Sequence, residues 1–437
     1  MKPAHSFTST AIGILGLRLI AAGSVYLTQV MLARWLGRSA LGTYAFASSL
    51  LIVLGTLSGL GLPTAATRFL PRYVAKGDGE SVSRYLKFAR IVGFGCGSTL
   101  GVVGWLGGEI GLYPVSAATL VALVGVPLFA LLLVNSGAAH GLSAHHLSAV
   151  PNSARPLGLF LLVVAMWGLG MVGSVANVIT GHLVVIIGVL AAQTYLLART
   201  IRRYGGEHGA GSRREKATWL RTSSGLMLVG LTSTYLSELV ILVTNISATP
   251  EELAVLNAVL RTAALLLFAM VAVDHVALPE YSTWYGAGDR ERLIDVVRRA
   301  TQLRLAAAAI GATLLLFAGP LILRLFGPGF GVGYWPLAVA LTGLVLRAGA
   351  GGAAQLIVAT SGTHELLGAS VIGVVLGLVL NIATASISPV MAGALAFGSA
   401  SAATAWMSRS ICIRRLGFDP SVFGSLASWR RNRPYGQ

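Results

Sequence analysis

Charge is what this sequence has least of. Asp, Glu, Lys and Arg make up 11% of its 437 residues, against about 25% in an ordinary soluble domain, which excludes that class. Acids are the scarcer sign, with 15 Asp and Glu against 32 Lys and Arg, and the outer loops are too short and acid-poor to house a catalytic site. Two cysteines, Cys96 and Cys412, are too few and too far apart for a disulfide framework or a thiolate metal cluster. No Gly-x-x-x-x-Gly-Lys-Ser/Thr loop is present, which excludes nucleotide hydrolysis by that route. His364-Glu365 lacks the second histidine of a zinc protease helix. His140, His145 and His146 have no acids or cysteines beside them, so neither a metal nor a cofactor is expected.

What remains is hydrocarbon. Mean hydropathy is +0.77, and apolar runs of roughly 20 residues, enough to cross a bilayer, recur throughout. The 54 glycines suit membrane helices, whose backbones approach closely where side chains are small. The expected fold class is therefore an all-α polytopic membrane protein. Twelve spans are read at about 7–32, 41–70, 88–108, 116–139, 156–171, 175–198, 223–244, 253–277, 302–326, 334–360, 366–387 and 390–411. The first is read as uncleaved, because Arg18 interrupts its apolar region and hydrophobicity continues beyond Ala21-Ala22-Gly23. In the third, Gly93, Gly97 and Gly101 at four-residue spacing make a close-packing face.

One stretch occurs twice. Residues 41–90 run through an apolar helix to Leu70-Pro71-Arg72-Tyr73, read as its break, and then to a basic loop turning at Gly77-Asp78. Residues 253–304 repeat the design with Leu278-Pro279-Glu280-Tyr281 and Gly288-Asp289. The repetition indicates two related halves: six-helix lobes over 1–200 and 223–413, a basic linker over 201–222 and a basic tail over 414–437. Placing the N-terminus inside puts 26 of the 32 basic residues on the inner side and two, Arg34 and Arg38, in outer loops. That bias predicts both termini in the cytoplasm. It also accounts for the +17 net charge without nucleic acid, and with six spans per half it makes the lobes parallel repeats.

Four arginines remain within or near the spans: Arg18, Arg261, Arg324 and Arg347. Arg324, near a helix end, is read as snorkelling. An arginine at a helix centre costs about 2.5–3.5 kcal/mol on insertion scales, so it faces a cavity or a partner. Arg18 shares a helical face with Tyr26 and Gln29, Arg347 shares one with Gly351 and Gln355, and Asn257 lies one turn before Arg261. These seven side chains are the candidate lining of a cationic cavity; the alternative for the arginines is pairing with backbone carbonyls or with Glu238. Glu238, the one acid deep in a span, stands at a depth similar to Arg261, as a structural ion pair or a protonatable gate. Asp274, followed by His275, is interfacial or part of a proton relay. Glu238 and Asp274 are the coupling candidates.

The first three spans resemble polysaccharide-biosynthesis flippases, the Wzx-type branch of the multidrug/oligosaccharidyl-lipid/polysaccharide exporter superfamily. The resemblance rests on Ala33-Arg34-Trp35-Leu36-Gly37-Arg38, Leu41-Gly42-Thr43-Tyr44, Gly59-Leu60-Gly61-Leu62-Pro63, Arg68-Phe69-Leu70 and the turn from Tyr73 to Asp78. It covers roughly residues 10–95. It implies a transporter rather than an enzyme, in a bacterial inner membrane, turning a lipid-linked oligosaccharide on polyprenyl pyrophosphate to the outer leaflet by alternating access. Membrane lipids, a polysaccharide polymerase with its export machinery, and a coupling ion (H+ or Na+) are the partners it implies. Arginine suits such a headgroup because its fixed donors match phosphate oxygens. A cation-coupled drug exporter of the same superfamily is the alternative. A membrane glycosyltransferase or polymerase is disfavoured by the short outer loops.

Overall fold

The computed structural model describes residues 4–171, 173–202, 213–360 and 363–424, with the side chains of some helical residues, Arg18 among them, outside that description. Among the described residues there are helices and no strands. Among the described residues, nine helices are long and apolar enough to cross a membrane by length and composition. Large apolar side chains face outward, Phe317 at 92% and Val124 at 69% exposure, a surface that suits hydrocarbon rather than water. By its contacts the chain divides into two compact units, Met1–Leu242 and Val243–Gln437.

The first unit holds α1 (Ala4–Leu36), α2 (Arg38–Ser58), α3 (Leu62–Ala75), α4 (Gly79–Glu109), α5 (Ala117–Gly141), α6 (His145–Gly168), α7 (Val175–Arg202) and α8 (Arg213–Thr234). The span expected over 41–70 is broken between α2 and α3, where Leu60 and Gly61 take positive φ values of 46° and 75°. Glycine is required at 61: a Cβ there would lie 2.0 Å from the Ser223 carbonyl oxygen of α8. The glycine face of α4 packs on α5 as its spacing predicts. A Cβ on Gly97 would fall 2.6 Å from Pro127 Cα, and one on Gly101 would fall 2.9 Å from the Leu123 carbonyl oxygen.

The second unit continues from α9 (Leu236–Thr244), which begins before the division, through α10 (Pro250–Gly286), α11 (Arg290–Phe326) and a short 3-10 turn at Phe330–Gly333. It closes with α12 (Tyr334–Gly349), α13 (Ala353–Ala359), α14 (Thr363–Thr384) and α15 (Pro389–Leu416). The span expected over 334–360 is also broken: Gly351 has φ +76° and separates α12 from α13. The span expected over 223–244 bends at Tyr235, between α8 and α9. Start signals are conventional. A capping box joins Thr249 and Glu252 ahead of Pro250, and Ser116 caps α5.

The two Leu-Pro-x-Tyr strings do not end their helices. Pro71 lies inside α3 and Pro279 inside α10. Helix continues because the tyrosines that follow are anchored in packed surroundings: Tyr281 is 1% exposed, and Tyr73 accepts a 2.9 Å bond from Trp219 Nε1. The turns come later, at Gly77 and Gly288, with φ of +69° and +71°. In both, the next residue caps the following helix: Asp78 accepts from Ser81 N–H at 2.9 Å, and Asp289 from Arg292 N–H at 3.1 Å. Val82, Leu86 and Ala89 on α4 and Leu293, Val297 and Ala300 on α11 are buried at the same offsets from these caps. The repetition is thus structural as well as sequential. α8 begins inside the stretch expected as a linker, and its Trp219 is fully buried against Tyr85 and Phe88.

Candidate functional site

Each unit carries a polar constellation beside a helix break. A broken helix leaves backbone groups to be satisfied locally, and in membranes this is tolerated where the segment is buried in protein or lines a cavity.

In the first unit the constellation lies near the α2–α3 break and the bend at Tyr235. The Tyr235 hydroxyl is hydrogen-bonded with Thr56 and lies within electrostatic reach of Arg155 and Glu238. Glu238 is 4% exposed and accepts from Ser237 Oγ at 2.7 Å. Arg155 reaches across to His182 Nε2 at 3.2 Å and sits over the Phe129 ring. Because guanidinium only donates, Nε2 accepts and the ring proton of a neutral His182 resides on Nδ1. Deeper in the bundle, Arg90 Nε donates to Asn135 Oδ1 at 2.9 Å, and Asn135 donates to Thr194. Gln29 is buried and Tyr26 half-buried on α1. The side chain of Arg18, on the same helix, lies outside the described residues.

The second unit gathers more of the expected residues. Asp274 of α10 accepts from Arg304 of α11 at Oδ1 and from Gln355 of α13 at Oδ2, the latter at 2.8 Å. Arg347, at the end of α12, is half-buried and within electrostatic reach of both Asp274 and Arg304. Tyr281 faces the same pair. Arg347 and Gln355 do not share one continuous helical face, since Gly351 interrupts it, yet both remain beside Asp274. Two guanidiniums thus stand around one carboxylate. Arg304, counted with the inner-side basic residues and lying within the span read over 302–326, is 4% exposed, four turns into α11. Asn257 is buried and Arg261 half-buried on α10. The pair expected between Glu238 and Arg261 places one partner in each unit.

A strap after α15 closes on this break. Pro420 O accepts from Thr301 Oγ1 at 2.8 Å, and a Cβ on Gly351 would lie 2.2 Å from the same carbonyl oxygen. Arg409 holds Asp419 through two nitrogens, Nε at 2.8 Å. Burial alone would raise the Asp419 carboxyl, but the bonds from Arg409 and from the Ser421 N–H outweigh it and hold it below the usual carboxylate range.

No family model and no curated protein matches the sequence. Solved structures do. An inward-facing multidrug resistance MATE family transporter of the MOP superfamily aligns with a TM-score of 0.75 at 13% identity, covering 92% of this chain and 94% of that one. The lipid II flippase MurJ, in an inward closed conformation, aligns at 0.74 and 14% identity over 95% and 89% of the two chains. The fold is that of the MOP-superfamily transporters. A third MOP structure, from Pyrococcus furiosus and described as having a binding pocket of reverse polarity that suggests a different function, aligns at 0.65 and 16% identity over 93% and 95%. These neighbours are transporters and flippases, not enzymes. They include a lipid flippase and a multidrug resistance transporter on one architecture, so the fold by itself assigns no substrate to this chain.

Proposed function

We propose that this chain is a flippase of cell-surface polysaccharide biosynthesis. It turns a polyprenyl pyrophosphate-linked oligosaccharide from the cytoplasmic to the outer leaflet, by alternating access between two six-helix lobes of twelve spans in all. The observation that carries the reading is the charge balance in the second unit: Arg304 and Arg347 face a single carboxylate, Asp274. Such a surplus favours an anionic headgroup over a cationic drug. Arg18, Tyr26 and Gln29 on α1, and Asn257 and Arg261 on α10, are the further residues assigned to headgroup binding in this reading. The protein works in a bacterial inner membrane with both termini cytoplasmic, alongside a polymerase and export machinery. Cysteine labelling in a cysteine-free background then reaches position 251 from outside and position 207 only after permeabilisation.

The test is whether cells lacking the protein accumulate the lipid-linked oligosaccharide on the cytoplasmic leaflet. Arg18→Ala and Arg347→Ala reproduce that accumulation at normal membrane abundance, and lysine at either position rescues in part because it keeps charge without the fork. Full translocation by both alanine variants overturns the assignment of these residues. The second reading, a cation-coupled exporter, is favoured by one observation: Glu238 is a buried acid beside Tyr235, where a proton could be carried.

A further inference from the structure

The Asp274 cluster does more than display positive charge; it is already occupied by an anion of its own. The carboxylate uses both oxygens, one on Arg304 and one on Gln355. Even so, Arg304 is not satisfied: its Nε is buried and has no hydrogen-bond partner among the described residues. Arg347 donates no hydrogen bond to any described residue, though Asp274 and Arg304 both lie within its electrostatic reach. One negative charge is therefore shared by two guanidiniums that together offer ten N–H donors, five each. Losing a partner from a buried pair is costly because the remaining charge stays uncompensated. An exchange of one anion for another avoids that cost. A pyrophosphate diester carries two negative charges, which matches the two arginines where the carboxylate does not.

We propose that Asp274 is a tethered stand-in for the phosphate of the transported lipid. In the empty protein it holds Arg304 and Gln355 in place. A lipid-borne pyrophosphate engaging Arg347 takes over Arg304, including its open Nε, and releases Asp274, whose carboxylate takes up a proton from water and so is not left as an unpaired charge. The exchange rests on the flippase reading above and adds to it how the empty site stays closed to other anions. Because Gln355 lies on α13 and Arg347 on α12, it also repartners the two sides of the break at Gly351.

The test uses the purified full chain in nanodiscs, with farnesyl pyrophosphate as the probe and farnesol as the phosphate-free control. Removing the stand-in's charge, Asp274→Asn, raises probe affinity by about tenfold or more, whereas Asp274→Glu leaves it close to wild type. Arg304→Gln lowers affinity at least tenfold, and Arg304→Lys recovers part of it. A second readout needs no variant: probe binding to the wild type frees the carboxyl and increases labelling of Asp274 by dicyclohexylcarbodiimide, quantified by mass spectrometry. If the wild type binds the probe but Asp274→Asn binds no tighter, or labelling is unchanged or falls, the cluster is a structural ion pair and the stand-in is refuted while the flippase reading survives. If inorganic pyrophosphate displaces the probe at equal concentration, the site takes a soluble anion and the assignment to a lipid falls. Binding of the probe to neither protein overturns both.

Discussion

Replacing Gly351 by alanine separates two costs that usually arrive together. The residue has φ +76°, and an L side chain in the left-handed region costs about 1–2 kcal/mol. Its Cβ would also sit 2.2 Å from Pro420 O and 2.8 Å from Thr301 Oγ1, so the strap must move. That movement breaks the Thr301–Pro420 bond, about 1 kcal/mol, and adds an overpacking cost of about 1–3 kcal/mol. The expected total is about 3–6 kcal/mol. Gly288→Ala is the control: its φ is +71°, but a Cβ there meets nothing within 4 Å, so only the backbone cost of about 1–2 kcal/mol applies. Unfolding of the purified protein in mixed micelles by a denaturing detergent measures both. A cysteine at Val422 reports the strap, and its thiol reactivity rises in Gly351→Ala but not in Gly288→Ala. Equal losses in the two variants, with an unreactive strap in both, would refute the reasoning.

Three further outcomes follow from individual contacts. Trp219→Ala removes a fully buried ring that touches Tyr85 and Phe88 and bonds Tyr73; it costs about 3–5 kcal/mol in the same assay, and Trp219→Phe costs less. Asp78→Ala removes a helix cap and costs about 1 kcal/mol. The Ser81 hydroxyl and N–H hold the Asp78 carboxyl below its ordinary value, so its contribution is complete above the ordinary Asp pKa, about 3.9, and is lost as pH falls through the lowered folded value. The alanine variant should lack that acid-sensitive component in an unfolding titration. Glu238→Gln, if the glutamate carries a proton during transport, folds normally but loses transport or shifts its pH profile; unchanged transport at every pH removes the coupling role.

Much of this fold was legible because glycine and aspartate carry local rules. The turns at Gly77-Asp78 and Gly288-Asp289 and the small-residue face of α4 are read from spacing, and the structure adds that Asp78 and Asp289 cap the helices that follow. Proline misleads: Pro71 and Pro279 read as breaks in the sequence, and only the anchoring of Tyr73 and Tyr281 shows why the helices run on. The breaks at Gly61 and Gly351 were hidden by abundance, since one glycine among 54 does not announce a left-handed conformation. It is the neighbouring backbone, Ser223 in one case and Pro420 in the other, that demands it. Asp274, Arg347 and Gln355 were each named from the sequence, but their meeting was not, because it depends on the break. Arg304 is counted with its basic neighbours on the inner side, although it falls within the span read over 302–326, and so is not singled out as a site residue. A signal did exist, since Leu293, Val297, Ala300 and Arg304 recur at helical spacing on one buried face.

The measurement that bears most directly on the central claim is translocation by the purified protein in liposomes. One substrate is a polyprenyl pyrophosphate carrying a fluorescent sugar, followed by loss of its protection from an external quencher; the other is a lipophilic cationic dye. The account predicts that the wild type moves the pyrophosphate lipid and not the dye, and that Arg347→Ala and Arg304→Gln abolish the movement at unchanged reconstitution. Movement of the dye without the pyrophosphate lipid, or transport of that lipid undiminished in both variants, would contradict it.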